Sequence, residues 1–354
     1  MAFNIFVINP GSTSTKVAVF NGNNCVLDKV IRHTPDELKA FSAAVDQFEY
    51  RLGLVKQIAC DFGSMDAFVG RGGLLKPLKG GTFVVDQAML EDLKSSKFGD
   101  HASNIGAMIA ATLANQFGKM AYVVNPPVVD ELMDLARLTG LPQISRVCIF
   151  HALNQKAAAM RAAHEIGIDY DKGRFIVAHL GGGITVGAHD CGRVTDVNNA
   201  LEEGPFSPER AGNLPTGQLV DLCFSGLYTK AEIKKMLAGR GGLFAYTGMT
   251  DCEKLEIEAE RDIKIRIVLD AMIYRISREI CASAAALCGD INCIVVTGGL
   301  AYSSYIIEGI KKRVGFLGKL IVYSGENEME ALAEGVLRVL GGSEGAFDYE
   351  KGGI

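Results

Sequence analysis

The chain has 354 residues, 48% of them hydrophobic and 22% charged, with a formal net charge of −5 and a pI near 5.8. That length and apolar content predict two domains, each with its own core. The mildly acidic balance excludes a general basic surface for nucleic acid or an anionic membrane, so an anionic ligand must be met by a few placed Lys and Arg residues. No apolar run approaches the roughly 20 residues of a membrane span, and Met1-Ala2 leads straight into the first predicted strand with no signal-peptide pattern. Nine cysteines without a C-x-x-C pair read as reduced thiols of a cytoplasmic protein, not as a disulfide or zinc framework.

In chain order, Phe6 to Gly22 (FVINPGSTSTKVAVFNG) reads as strand, hydroxyl-rich turn, strand, and an Asn-Gly turn into a third strand near 26–31. Backbone N–H groups, the hydroxyls of Ser12 and Ser14 and the Lys16 ammonium converge in that turn, which suits an anion. A hydroxyl-rich turn is also common as a turn and nothing more, and Lys16 as a solvated lysine. Thr34-Pro35-Asp36-Glu37 is a capping box; Leu38, Phe41, Val45, Phe48 and Leu52 continue it as one helical stripe of core scaffold. Ala67 to Gly70 is a short buried strand delivering Arg71 into Gly72-Gly73, placed equally for a ligand or a surface carboxylate. Helices are predicted over 86–94 and 103–117, with a strand at 122–124. Asp130 then begins a predicted helix, where an acidic residue is the ordinary helix-dipole choice. His151 opens another helix, ending at Gly167.

Phe175 to Gly192 (FIVAHLGGGITVGAHDCG) repeats the opening pattern. With Gly11 laid on Gly181, an offset of 170, Val7 falls on Val177, Ser12-Thr13 on Gly182-Gly183, and Gly22 on Gly192. A repeat this long predicts two domains of similar fold, each carrying a small-residue turn for one shared polyphosphate. Beyond it, 202–213 is an irregular segment carrying Arg210, a better functional candidate than a charged helix face. Helices follow over 216–224 and 230–237, then a Gly-rich connector at 239–248 and one long helical region from Asp251 to about Cys288. A buried strand at 291–297 runs into Gly298-Gly299, followed by a helix at 303–314, a strand at 320–323 and a last helix after Asn327-Glu328. The tail after Gly342 is expected to fray. His33, His164 and His189 read as surface or ordinary packing histidines.

Asn9-Pro10-Gly11-Ser12-Thr13-Ser14-Thr15-Lys16, His179-Leu180-Gly181-Gly182-Gly183 and Val296-Thr297-Gly298-Gly299, in this order and spacing, resemble the acetate/butyrate kinase family, and within it the butyrate branch. The resemblance implies an α/β fold of two similar actin-like ATPase (ribonuclease H-like) domains around a nucleotide cleft. The domains are expected over 1–145, completed by the C-terminal helix 329–354, and over 146–328. The implied reaction is reversible in-line phosphoryl transfer, butyryl phosphate and ADP giving butyrate and ATP, with Mg²⁺ as cofactor. Isobutyrate and acetate are the alternative acids; a sugar kinase or an actin-like ATPase module are the alternatives of another class. By the same resemblance, Asn9, Ser12, Ser14 and Lys16 form the first phosphate loop and Gly181, Gly182 and Gly183 the second. Gly298 and Gly299 form the adenosine-site turn, with Asp251 nearby. Arg71 and Arg210 face the transferred phosphoryl and the carboxylate, His179 stabilises the transferring group, and His151 and His101 are further active-site histidines. Asp130 and Glu328 serve positioning and magnesium. The family also implies a homodimer or larger homo-oligomer.

Overall fold

The computed structural model describes residues 2–352. It divides into two compact units, Met1–Asp130 with Asn327–Ile354, and Glu131–Glu326. The division falls before the expected 145/146 boundary because the following segment is tied to the second unit. There Met133 N–H donates to Thr195 O, and Arg146 pairs with Asp196 and Glu203.

Among the described residues twelve strands form two sheets: β1 (Asn4–Pro10), β2 (Ser14–Asn21), β3 (Asn24–Arg32), β4 (Ala67–Gly70), β5 (Thr82–Val84), β6 (Met120–Val124), β7 (Arg174–Leu180), β8 (Ile184–Asp190), β9 (Arg193–Val197), β10 (Cys293–Gly298), β11 (Leu320–Ser324) and β12 (Phe347–Asp348). The first unit holds the order β12-β5-β6-β4-β1-β2-β3, the second β11-β10-β7-β8-β9. In each, the repeat forms an antiparallel meander, β1-β2-β3 or β7-β8-β9, whose first strand also pairs in parallel with β4 or β10. The internal repeat is therefore structural as well as sequential.

β1 and β7 are buried on both faces, so they read as continuous apolar runs rather than alternating ones. Phe6, Ile8, Val17 and Val19 pack on helices 48–61 and 104–117; burying each such side chain contributes about 1.5–3 kcal/mol. Helix 104–117 carries four alanines and Gly106 because it lies against β4. A Cβ on Gly70 would stand 2.2 Å from Gly106 O, so neither position admits a side chain, and this close approach fixes where Arg71 leaves β4. In the second unit, Ala158, Ala159, Ala162 and Ala163 let helix 152–165 lie on β7 and β10, while helices 263–286 and 304–314 form the other layer.

Several expectations are corrected. The stripe from Leu38 to Leu52 is not one helix: Pro35–Leu38 and Phe48–Asp61 are separate, with a short 3₁₀ turn at Val45–Gln47. The Asp100 carboxylate accepts from Ala44 N (2.6 Å) and Val45 N (3.1 Å) and caps a fresh helix start from a distant loop. The region 251–288 likewise splits into Cys252–Ala259 and Ile263–Ala286, with Asp262 capping the second and Arg266 Nε donating to Ala259 O at the end of the first. The Gly-rich connector contains a helix, Gly242–Thr247. No helix starts at Asp130; the nearest is Asp134–Arg137, so the helix-dipole reading is withdrawn. The described part of the tail, to residue 352, is not frayed: β12 pairs with β5, and Tyr349 is 1% exposed, with its hydroxyl donating to Asp92 Oδ2 at 2.7 Å; residues 353–354 lie outside the described residues. Of the two readings given for the unassigned histidines, His33 and His189 take the packing one, being buried, and His164 the surface one.

No disulfide links any of the cysteines among the described residues. Among the described residues no helix is long and apolar enough to cross a membrane.

Candidate active site

In the first unit the predicted residues gather at the C-terminal ends of β1 and β4. Asn9 closes β1, and its Nδ2 donates to Glu328 Oε2 at 2.7 Å. Arg71 follows β4, its backbone N–H held on Ile8 O at 2.8 Å. Its Nη2 lies 3.5 Å from Glu328 Oε1, with the two side chains only 11% and 20% exposed. Glu328 begins helix 328–340, which joins this unit because Gly335 lets it lie on Val124 of β6. Arg71 Nη1 is buried without a hydrogen-bond partner among the described residues. A buried guanidinium nitrogen left in that state calls for an anion. His101 lies within the field of Arg71: crowding by protein first, and that guanidinium second, hold its imidazole below the ordinary value. Its Nδ1 accepts from Ser103 N–H at 3.2 Å, so its proton sits on Nε2.

The first phosphate loop is a tight turn, with Gly11 N–H donating to Ser14 O at 2.8 Å. Ser12 is exposed, Ser14 and Lys16 are half-buried, and Lys16 stands opposite Asn9 in the β1–β2 ladder. Beneath the loop is a residue the sequence did not single out. Arg51 is 0% exposed; its Nη1 donates to Gly11 O (2.9 Å), Ser14 O (3.0 Å) and Thr15 Oγ1 (3.0 Å), and its Nη2 to Ser12 O (3.4 Å). Gln47 Oε1 takes the remaining donors. Three loop carbonyls are thus turned toward Arg51. The cation has no carboxylate partner among these bonds, so it adds positive potential under the loop. On the sequence Arg51 is one charge in a helix, and nothing local marks it as buried.

In the second unit His151, His179, the second loop and Arg210 come together. His151 is the N-terminal cap residue of helix 152–165 and His179 lies near the end of β7; their rings stack with centroids 3.9 Å apart at 23°. His179 is 1% exposed, and a Cβ at Gly181 would lie 3.2 Å from its Nε2. The loop folds tightly, with Gly181 N–H donating to Gly183 O at 3.1 Å and the Ser207 hydroxyl holding Gly182 O. A Cβ at Gly183 would stand 2.1 Å from Arg210 Nη1, so the guanidinium lies directly across that glycine. Arg210 Nη1 also donates to Ala200 O at 2.9 Å, and burial pushes its pKa down.

Asp251 caps the helix it begins, accepting from Lys254 N at 3.2 Å, and pairs with Lys254 Nζ. Gly298 ends β10 at φ +96°, where a Cβ would meet Leu180 O at 2.3 Å, whereas a Cβ at Gly299 meets nothing within 4 Å. Asp130 is held by its backbone N–H on Leu78 O. Among the described residues no group of three or more His, Cys, Asp or Glu is arranged as a metal cage. Mg²⁺ is a hard ion commonly held by one or two carboxylates together with substrate phosphates; here the Glu328 carboxylate faces Asn9 Nδ2 and Arg71 Nη2.

Residues 143–335 match the model of the Acetokinase family. Butyrate kinase 2 of Clostridium acetobutylicum is 49% identical over 99% of this chain and 100% of its own length. A probable butyrate kinase of Listeria monocytogenes is 44% identical over 99% and 100%. Among solved structures, Porphyromonas gingivalis acetate kinase superposes with a TM-score of 0.75 at 19% identity, covering 95% of this chain and 99% of that one, which shows the actin-like ATPase fold. With its two meander sheets, its two arginine-bearing clusters and full-length relatives of this kind, the chain belongs to the acetokinase family.

Proposed function

We propose that the chain is a short-chain fatty acid kinase acting on butyrate, catalysing butyryl phosphate + ADP = butyrate + ATP. The full-length likeness to the butyrate kinases carries this reading; the chemistry of the two clusters supports it. A carboxylate nucleophile titrates near pH 4 and is ionised at neutral pH, so the reaction needs no strong general base. Its barrier is the repulsion between an anionic nucleophile and an anionic polyphosphate. Arg71 and Arg210 carry half-buried guanidiniums suited to neutralising the equatorial oxygens and the carboxylate, with His179, His151 and His101 as donors. Gly181, Gly182 and Gly183 let backbone N–H groups come close to phosphate, and Asn9, Ser12, Ser14 and Lys16 add donors from the first loop. Gly298, Gly299 and Asp251 serve the adenosine end. Mg²⁺, held by Glu328 with Asp130, supplies further neutralisation of the phosphate charge when bound.

The cytoplasm suits nine cysteines of which none forms a disulfide among the described residues. Self-association is supported by an exposed apolar row in the second unit, Leu135, Leu138, Leu141, Ile144 and Val147, and by Phe224 at 87% exposure. Analytical ultracentrifugation tests it, a monomer at micromolar concentration refuting it. For the activity, ATP-dependent acyl phosphate is trapped with hydroxylamine across two- to five-carbon acids. Preference for butyrate is expected. Activity only on acetate refutes the chain-length assignment, and phosphorylation of a sugar with no acid turned over refutes the reaction. Isobutyrate differs from butyrate only in branching, a distinction worth about 1–3 kcal/mol in an apolar pocket, so both acids belong in the panel.

A further inference from the structure

Behind the stacked histidines of the second unit runs a line of buried polar side chains that phosphoryl transfer does not itself require. Gln155, Thr185 and His189 are each 0% exposed. Tyr170 OH lies 2.8 Å from His189 Nδ1, His189 Nε2 lies 3.1 Å from Gln155 Oε1, Gln155 Nε2 lies 2.8 Å from Thr185 Oγ1, and Thr185 Oγ1 lies 2.9 Å from His151 Nδ1.

The direction of each bond follows from one fixed point. Gln155 Nε2 also lies 3.1 Å from the backbone carbonyl of Thr185. A carbonyl only accepts, so the amide nitrogen must face Thr185 and the amide oxygen must face His189. That oxygen also only accepts, so His189 Nε2 carries the proton, and His189 Nδ1 receives the Tyr170 hydroxyl hydrogen. Burial first, and the Lys156 ammonium second, hold the His189 pKa well below its ordinary value, in keeping with a neutral ring. At the other end, the second N–H of Gln155 is donated to Thr185 Oγ1. The buried Thr185 hydroxyl must place its own hydrogen on an acceptor. Of its two side-chain partners the Gln155 nitrogen only donates, so the acceptor is His151 Nδ1.

We infer that this relay fixes His151 as the Nε2–H tautomer, making Thr185, Gln155 and His189 positioning residues for the transfer. The inference rests on the kinase reading above for its consequence, but not for the tautomer itself. With Nδ1 occupied by an incoming hydrogen bond, the Nε2 edge of His151 is a donor, the form an anionic phosphoryl group requires. The opposite tautomer would turn a lone pair toward phosphate oxygens and replace attraction with repulsion. Second-sphere partners of functional histidines act in this way, setting the tautomer through the far nitrogen.

The test is imidazole ¹⁵N NMR on the full-length protein labelled at histidine, with His151 assigned from the signal missing in His151→Gln. A lone-pair shift at Nδ1 and a protonated shift at Nε2 are expected; a protonated Nδ1 overturns the inference. In turnover, Thr185→Val keeps the shape and removes the hydroxyl, and kcat should fall about 10–100-fold, with KM for nucleotide and butyrate little changed. Thr185→Ser should restore kcat. A folded Thr185→Val with wild-type kcat also overturns the inference. If that variant does not fold, the wild-type spectrum decides alone. A wild-type protein without acyl kinase activity refutes the function and leaves the tautomer measurement standing.

Discussion

Replacing Arg51 with methionine tests whether the buried guanidinium builds the first phosphate loop. Methionine keeps most of the stem volume and donates nothing. The loss strands Gly11 O and Ser14 O, whose bonds to Arg51 are 2.9 and 3.0 Å long, together with the weaker contact to Ser12 O and the bond to Thr15 Oγ1. Each buried acceptor left dry costs about 1–3 kcal/mol, and water entering from the exposed side of the turn recovers part of that. Removing the ion also ends its desolvation, which burial signals by pushing the Arg51 pKa down. The net expectation is a loss of about 2–4 kcal/mol from the first unit. Urea unfolding followed by the tyrosines of that unit reads it. The loop should also lose its outward set of N–H groups, and one charge-assisted phosphate contact of about 1.5–3 kcal/mol corresponds to roughly 10–100-fold weaker nucleotide binding. Isothermal titration with ADP measures that. Arg51→Lys keeps the charge without the fork and should fall between the two. A destabilisation below about 1 kcal/mol with unchanged ADP affinity would refute the reasoning.

Three further outcomes are expected. Arg210→Ala should lower turnover at least about a hundredfold while the protein stays folded, since one transition-state donor is worth roughly 3 kcal/mol; near-normal kcat with an unchanged circular-dichroism spectrum excludes that role. Acid should destabilise the second unit through His189: its folded pKa lies well below the ordinary value of 6.5, so the unfolded chain takes up a proton that the folded one refuses. The stability it leaves intact above about pH 6.5 is lost as pH falls toward the depressed value, at about 1.4 kcal/mol per pH unit. His189→Gln should flatten that slope in urea midpoints measured from pH 7.5 to 5, and an unchanged slope refutes the assignment. Tyr349→Ala should cost about 3–5 kcal/mol in thermal or urea unfolding, as for any large buried aromatic removed; a cost near zero would mean that the tail does not dock.

The sequence is most legible where a signal is complete within a few residues. The Thr34–Glu37 capping box is present with both reciprocal bonds, and the Asn21-Gly22 turn and both meanders lie where their apolar runs end. The misreadings share one cause, a partner far along the chain. The 38–52 stripe has helical period, yet Asp100 draws the backbone N–H groups at 44 and 45 into a new start. The tail has no apolar run of its own, and its two-residue strand exists because β5 offers an open edge and Asp86 accepts from Tyr349 N. Among the candidate site residues, Arg71 stands at a strand end before two glycines as its sequence context predicts, but Glu328, 319 positions from Asn9, meets Asn9 and Arg71 only through the packing of helix 328–340.

By itself the sequence determines the twofold architecture, the two small-residue loops and the family, because each is written in local pattern and in residue types at fixed spacing. Tertiary structure alone decides which charges are buried and what they face. Arg51 looks like a surface charge in one dimension, and His33 and His189 read equally as surface or packing residues, since burial depends on every element that packs over a position and not on its neighbours in the chain. The same holds for proton placement. Gln155 orders a line of hydrogens from Tyr170 to His151 only because one backbone carbonyl, 30 residues along the chain, meets its amide nitrogen.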